Sequence, residues 1–502
     1  MALSDELSWL WIASLLLLPL AFIQTLRRRR NPLPPGPRGL PLVGNLFDVP
    51  KNQDSLWYIE MSRKYDSDII SVNLAGTTVV VLNSRTAATD LLENRSAIYS
   101  DRPPFTMLND LVGAHWNLTF MRYGPRWKEH RKVFMRQFQP SEVLLHRPKE
   151  LAAARVLLRL LLDSPHKFES HLRHMAAMVI LSTAYGIDVL AENDPYVEIS
   201  EKALQAMAAT GNPRSYLVNS LPFLKYVPEF LPGAGFKKQA REWFSVVDSM
   251  PDLPYDFVKQ ARAAGTAQSS IASRVLDEMQ EGVEDDIRAA NELTLKNTVS
   301  ALGTFILAMT LYPEVQKKAQ AAIDEVVGRD RLPDFEDNIP YIDAVVHEVL
   351  RWRPVVTGAP HAVMEDDIYK GYHIPAGSIV IGNAWAILHD EAAYGPNTDQ
   401  FIPERWLTVD GKINKEMPDS SPAFGFGRRI CPGRDMAQWS VWISAASILS
   451  VFNIKKSLDK EGIPIEPSGE YNWGMLSYPI PHECDIIPRS KAAEEMIRAQ
   501  SL

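Results

Sequence analysis

An uncharged run of 17 residues, Leu7 to Ile23 (LSWLWIASLLLLPLAFI), is followed after Gln24, Thr25 and Leu26 by Arg27 to Arg30. At 1.5 Å per residue, Leu7 to Leu26 as a helix reaches about 30 Å, the thickness of a bilayer's hydrocarbon core. Asp5 and Glu6 stand before the run and four arginines after it, so the positive-inside rule leaves the rest of the chain in the cytosol. The positive charge lies on the wrong side for a cleaved secretory signal, and no small-residue cleavage site follows. The pattern predicts one N-terminal transmembrane helix. Pro32 to Asn45 holds five prolines and three glycines, a stiff hinge that is neither helix nor central strand. The expected division is residues 1–30 for the anchor and its basic flank, 31–50 for the hinge, and 51–502 for one folded body.

Within the body, Ile69 to Leu82 is rich in β-branched residues around Gly76 and predicts a hairpin, followed by a short helix from Ser84 to Glu93. Helical periodicity dominates from about Arg126 to Arg274, as at Lys149 to Leu161 and Ser200 to Ala209, with turns at Pro222, Pro228 and Pro232. Residues 298–309 form an almost wholly apolar helix whose every face must be buried. Pro313 starts another helix, and a third runs from Tyr341 to Trp352 until Pro354 stops it. Short strands follow at Tyr372 to Ile374 and Ser378 to Asn383. The fold class is mainly α with small β-sheets.

Composition changes this picture little. The 502 residues are 46% apolar and 23% charged, enough for a large core, and no Ser/Gly stretch is long enough for a domain linker. A net charge of −8, without a basic stripe interleaved with aromatics, argues against nucleic acid as a partner. The only cysteines, Cys431 and Cys484, have no zinc-type spacing. Cys484 reads as a buried structural thiol on a strand.

Cys431 lies in Phe424-Gly-Phe-Gly-Arg-Arg-Ile-Cys-Pro-Gly433, just before an apolar helix from Met436 to Leu449. Glycines 425, 427 and 433 permit positive φ and close approach of the backbone to a flat ligand. Turn N–H groups, the helix N-terminus and a bound metal would each favour a thiolate there. Elsewhere, Glu348 and Arg351 share one helix face at i,i+3, with Pro403-Glu-Arg405-Trp further on, and Trp127 stands one turn from Arg131.

Together these phrases resemble the signatures of the cytochrome P450 superfamily: FxxGxRxCxG at every fixed position, ExxR, a PERF-like stretch and WxxxR. The body, from residue 30 to 488, is similar to the fungal secondary-metabolism group that includes O-methylsterigmatocystin oxidoreductase and tryptamine 4-monooxygenase. The resemblance implies the cytochrome P450 fold and a haem b cofactor, with Cys431 as the sulfur ligand and metal-binding residue. It implies that Trp127, Arg131, His361 and Arg429 contact the propionates, that Phe424 belongs to the haem loop, and that Arg405 joins the Glu348–Arg351 pair as a structural brace. It also implies a monooxygenase that inserts one oxygen atom into a C–H bond or alkene while the other leaves as water. Two electrons would come from NADPH-cytochrome P450 reductase, with cytochrome b5 as a further donor, on the cytosolic face of the endoplasmic reticulum, in contact with membrane lipid. The chain has no dinucleotide-binding GxGxxG of its own. The family layout lines the pocket with residues 105–120, 298–302, 355–359 and 473–476. These are mostly apolar and fit a hydrophobic small-molecule substrate: a terpenoid, polyketide or aromatic alkaloid. No clear carboxylate stands ready for a cationic amine, although Asp110 is conceivable. The sequons at Asn94 and Asn117 are expected to stay unglycosylated, facing the cytosol.

One region departs from the family. The distal-helix phrase (A/G)GxxTT, whose acid and threonine handle protons, is absent between Asp286 and Leu302, and the segment is about four residues short. That is about 6 Å and about 40° of helical phase. Thr298 stands in place of the second threonine, Asn297 of the first and Lys296 of the acid. Glu292 or Asn297 with Thr298 is the expected catalytic relay. Three origins stay open: a misplaced splice boundary, a working enzyme with a rearranged relay, or a haem binder with poor oxygen chemistry. The rival functions are a haem-thiolate isomerase or dehydratase that needs no external electrons, and a non-catalytic haem-binding protein.

Overall fold

The computed structural model describes residues 31–50, 53–190, 193–211, 215–278, 292–473 and 476–500. The anchor expected at Leu7 to Ile23 and the distal stretch from Asp286 to Asn291 lie outside them. Among the described residues, no single helix is long and apolar enough to cross a membrane.

Nine of the helices frame the site: α1 (Pro125–Gln137), α2 (Arg147–Asp163), α3 (Phe168–Tyr185), α4 (Pro195–Thr210), α5 (Gly235–Ser249) and α6 (Glu292–Leu311) precede the second half, which adds α7 (Pro313–Val326), α8 (Pro340–Trp352) and α9 (Arg434–Val451). Of these nine, α2, α3, α6 and α9 pack together, with α7 and α8 against α9, while α4 and α5 pair over a separate apolar cluster. The apolar run 298–309 explains why α6 is central: Ala301, Leu302, Phe305, Ile306, Ala308 and Met309 are each at most 3% exposed. Pro313 ends α6 and starts α7 after a 107° bend, because the residue before a proline is driven out of the helical region.

The predicted hairpin forms as β1 (Ile69–Leu74) and β2 (Thr77–Leu82), joined by Ala75 and Gly76, both with positive φ, the two-residue turn that matches strand twist. Strands β3 (Pro360–Ala362), β4 (Asp367–Tyr369), β5 (Tyr372–Ile374) and β6 (Ile379–Gly382) follow α8, and β6 adds parallel to β2, giving a sheet ordered β1-β2-β6-β3. Strands β7 (Phe452–Lys456), β8 (Tyr471–Asn472), β9 (Tyr478–Pro479) and β10 (Cys484–Pro488) complete two small antiparallel pairs, β7–β10 and β8–β9. Cys484 is buried on β10, as expected. The short helix after the hairpin is capped by the Ser84 hydroxyl and continues past Ala88 as a wider π turn to Asn94. Asn117 is 4% exposed, so its sequon has no room for a glycan.

Candidate active site

The loop bearing Cys431 is built by two short turns, Ser421–Phe424 and Gly427–Arg429, ahead of α9. Gly425 and Gly427 take φ of +88° and +54°, and a Cβ on Gly427 would meet the Leu92 carbonyl oxygen at 2.0 Å. Gly433 differs from expectation: it caps α9 at φ −88°, so its role is at the helix start. The Cys431 N–H donates to the Phe424 carbonyl at 2.9 Å, closing the loop. Burial pushes the thiol up, while the Gly433 N–H, Arg131 and Arg434 pull it down. The turn N–H thus acts in the expected direction, but burial outweighs it.

Cys431, Trp127, Arg131, His361, Arg429 and Phe424 all line one cavity, and Arg102 joins them. Arg131 donates to the Ile430 carbonyl at 2.5 Å. Arg429 donates to the carbonyls of Ser100, Leu118 and Met121 at 2.7, 3.2 and 2.9 Å. Arg102 donates to those of Thr119 and Pro360 at 2.8 and 2.5 Å. Among the described residues none of the three guanidiniums has a carboxylate partner, since neighbouring Asp101 is taken by Arg122 and the Tyr123 N–H. Burial pushes Arg102 and Arg131 down to about 10, and burial with repulsion from Arg102 and Arg131 pushes Arg429 down to about 8.

Three cations facing one cavity, Arg102 buried and Arg131 and Arg429 half-buried, are a site in want of an anion. At 4 Å each unit-charge contact is worth about 4 kcal/mol at an effective dielectric near 20. A flat dianionic haem fits this donor set: Arg102, Arg131 and Arg429 would hold its carboxylates, and Cys431 would ligate its metal. His361 Nδ1 lies 2.7 Å from the Tyr99 carbonyl and must carry a hydrogen there, leaving Nε2 to act on the cavity. Burial holds this ring well below its ordinary pKa, and a carboxylate facing Nε2 would favour the doubly protonated form. The Trp127 N–H is directed to the Leu118 carbonyl at 3.2 Å, and its ring lies 4.2 Å under the Arg429 guanidinium. Arg102 was not legible as a site residue: its signal, an arginine between Asp101 and Pro103, looks like an ordinary loop ion pair until Arg122 is seen to hold Asp101.

Behind the loop, Glu348 is fully buried and accepts five hydrogen bonds. Arg351 Nε and Nη2 donate at 2.7 and 2.8 Å, Arg405 Nε at 3.1 Å, the Ile402 N–H at 2.9 Å and the Trp406 indole at 2.9 Å. The expected brace of Arg405 is present. Trp406, where the family's usual phrase has phenylalanine, adds a donor that the motif alone does not announce.

On α6, Thr298 is 4% exposed but lines neither of the two cavities described here. The helix backbone passes through Glu292 and Asn297, whose side chains lie outside the described residues. Asp110 is not available to a ligand, because Lys225 binds it at 2.8 Å. Of the expected pocket, Phe105 and Phe120 meet edge to face at 5.3 Å, Val356, Gly358 and Ala359 line the thiol cavity, and Trp473 and Leu476 line a different one.

The family model for cytochrome P450 matches residues 34–482. A cytochrome P450 monooxygenase of Armillaria gallica is 43% identical over 485 residues, covering 94% of each chain. Cytochrome P450 monooxygenase 98 of Postia placenta is 43% identical, covering 94% of this chain and 93% of its own. Tryptamine 4-monooxygenase of Psilocybe cyanescens is 40% identical over 497 residues, covering 96% of this chain and 98% of its own. The chain belongs to the cytochrome P450 family. It is a haem-thiolate monooxygenase carrying haem b.

Proposed function

We propose that the protein hydroxylates or epoxidises a hydrophobic secondary metabolite, with electrons supplied by NADPH-cytochrome P450 reductase and cytochrome b5 as an additional donor. The observation that carries this reading is the convergence of Cys431 with three carboxylate-free arginines on one cavity. When bound, the haem supplies oxygen activation, and its cysteine ligand favours O–O cleavage. The chain's own residues do the rest. Cys431 holds the metal, while Arg102, Arg131, His361, Arg429 and Trp127 orient the propionate edge. Thr298, with Glu292 and Asn297, is assigned the distal proton path. Exposed Lys128, Lys132, Arg136, Arg428 and Arg434, on α1 and around the thiol loop, support docking of an acidic electron donor on this side.

Membrane attachment through Leu7 to Ile23, with the body in the cytosol at the endoplasmic reticulum, is part of the same proposal. It is supported by exposed apolar residues between α4 and α5: Leu217, Phe223, Tyr226 and Phe230 are 61, 62, 77 and 85% exposed. Leu16→Arg with Leu17→Arg should turn carbonate-resistant membrane association into an extractable one. The aromatic-alkaloid class gains support from the relative named for tryptamine.

The test is the ferrous-CO difference spectrum of the wild type and Cys431→Ser, followed by substrate turnover with and without reductase and NADPH. A thiolate Soret band lost in the variant, with product only when both are supplied, supports the proposal. Product without them would establish isomerase or dehydratase chemistry, and a normal band with no product from a broad screen would favour a haem-binding role.

A further inference from the structure

A second cavity, of about 570 Å³, lies between α3, α4, α6 and the β8–β9 hairpin, and shares no lining residue with the thiol cavity. Its volume is that of a small-molecule site, ~300–1,000 Å³. The walls are apolar and aromatic: Phe168, Leu172, Leu204, Trp473, Tyr478 and His482. The hairpin lies directly on α6 because Gly303 has no side chain; a Cβ there would already touch Pro479 at 3.3 Å.

The charges of this cavity do not cancel. Glu169 and Arg173 stand at i and i+4 on α3, the spacing of a helical ion pair, yet the Arg173 guanidinium reaches across to Glu201 of α4 at 3.4 Å. Glu169 is left without an ion pair or hydrogen bond among the described residues. The wall histidine, His482, is shifted by burial toward its neutral form, against a hydrogen bond with the Ile480 backbone. Two carboxylates, one guanidinium and a neutral imidazole give the cavity one negative charge amid aromatic faces. The ordinary role of Glu169, in the first turn of α3, is to complement the helix N-terminus. That role explains its position but not the rerouting of Arg173.

A tryptophan pair stands between residues of the two cavities. Trp473, in the wall of the second, packs 4.9 Å from Trp385, and Ala384 beside it lines the thiol cavity. Val299 and Ser300, also in the second cavity, directly follow Thr298 on α6.

We infer that this second cavity binds the protonated amine end of an organic substrate, with Glu169 as its counter-ion and Phe168, Trp473 and Tyr478 as its aromatic walls. This narrows the proposed substrate to an amine and rests on the monooxygenase reading for its catalytic meaning. The binding itself needs no turnover. An ammonium gains both the carboxylate and the aromatic faces, whereas a neutral or anionic molecule of the same shape gains at most the apolar contact.

The experiment is calorimetric titration of the holoenzyme with tryptamine, tryptophol and indole-3-acetate, which share a ring and differ in charge, on wild type, Glu169→Gln and Ala208→Trp. Ala208 lines the same cavity and its replacement fills it without altering charge. The expected result is tryptamine bound about 10-fold more tightly than tryptophol, with indole-3-acetate weakest. That preference should disappear in Glu169→Gln, and all three ligands should weaken in Ala208→Trp. Equal affinity for tryptamine and tryptophol in the wild type overturns the inference, as does an ammonium preference that survives Glu169→Gln or binding indifferent to Ala208→Trp. Failure here with a normal ferrous-CO band leaves the monooxygenase reading standing; an absent band with the amine preference intact does the reverse.

Discussion

The indole N–H of Trp406 donates to Oε2 of Glu348 at 2.9 Å, on the carboxylate oxygen that Arg351 Nε also occupies, while Arg405 and the Ile402 N–H take the other oxygen. Every face of a fully buried charge is therefore satisfied, which is the condition for keeping it ionised inside a core. Trp406→Phe removes one donor and should cost about 1–3 kcal/mol while leaving the fold intact. Arg351→Ala strands the carboxylate and should cost about 3–5 kcal/mol, with little haem-loaded protein recovered. Denaturant midpoints and the ratio of Soret to protein absorbance check both.

Arg102 is expected to matter to cofactor retention as much as the arginines the motifs announce. Arg102→Ala removes one charge-assisted contact to the propionate edge, worth about 1.5–3 kcal/mol, or roughly 10- to 100-fold in haem affinity. Arg122→Ala should also weaken retention, because freed Asp101 would compete for Arg102. Transfer of haem to apomyoglobin measures both, and unchanged transfer rates would remove Arg102 from the site.

Glu150 of α2 sits against α9, 1% exposed, with one oxygen 2.6 Å from the Ser440 hydroxyl and the other unpartnered. Burial pushes its carboxyl up to about 8 from an ordinary value of 4.5. Between those values the folded protein holds a proton that the unfolded chain has released. This group's contribution is thus full below about pH 4.5 and is lost as pH rises through about 8. Glu150→Gln should leave the melting temperature unchanged at pH 5 and raise it by a few degrees at pH 8.5. A pH-independent effect would show that Glu150 does not titrate in this window.

The two cysteines should separate cleanly in chemistry. Burial pushes the Cys484 thiol up to about 12, so it should resist iodoacetamide at pH 8 until the protein is unfolded. Cys484→Ala should keep the ferrous-CO band, whereas Cys431→Ser should lose it. Mass spectrometry of native and denatured samples reads the labelling.

Features set by neighbours along the chain are legible in the sequence. The hairpin around Gly76, the helix from Tyr341 to Trp352 and the Glu348–Arg351 pair follow from local periodicity, because side chains at i and i+3 share a helix face wherever the helix lies. The positive-φ turns of the Cys431 loop at Gly425 and Gly427 were legible for the same reason, but the approach of Gly427 to the distant Leu92 carbonyl was not, and Gly433 is a helix cap rather than a positive-φ turn. Pocket residues were less so. Asp110, a conceivable amine partner by sequence, is paired in the fold with Lys225, more than a hundred residues away.

By itself, then, the sequence determined the helices and strands with clear periods, the Cys431 loop and the arginines its motifs contain. Only the tertiary structure decided that Arg102 lacks a counter-charge, that Trp406 completes the Glu348 cluster, that Glu150 is buried beside Ser440 and that Arg173 turns from Glu169 to Glu201. The reason is the range of the forces. Backbone torsions and i,i+3 contacts are local and repeat along the chain. Desolvation and charge balance at a point are sums over segments that only the packed fold brings together.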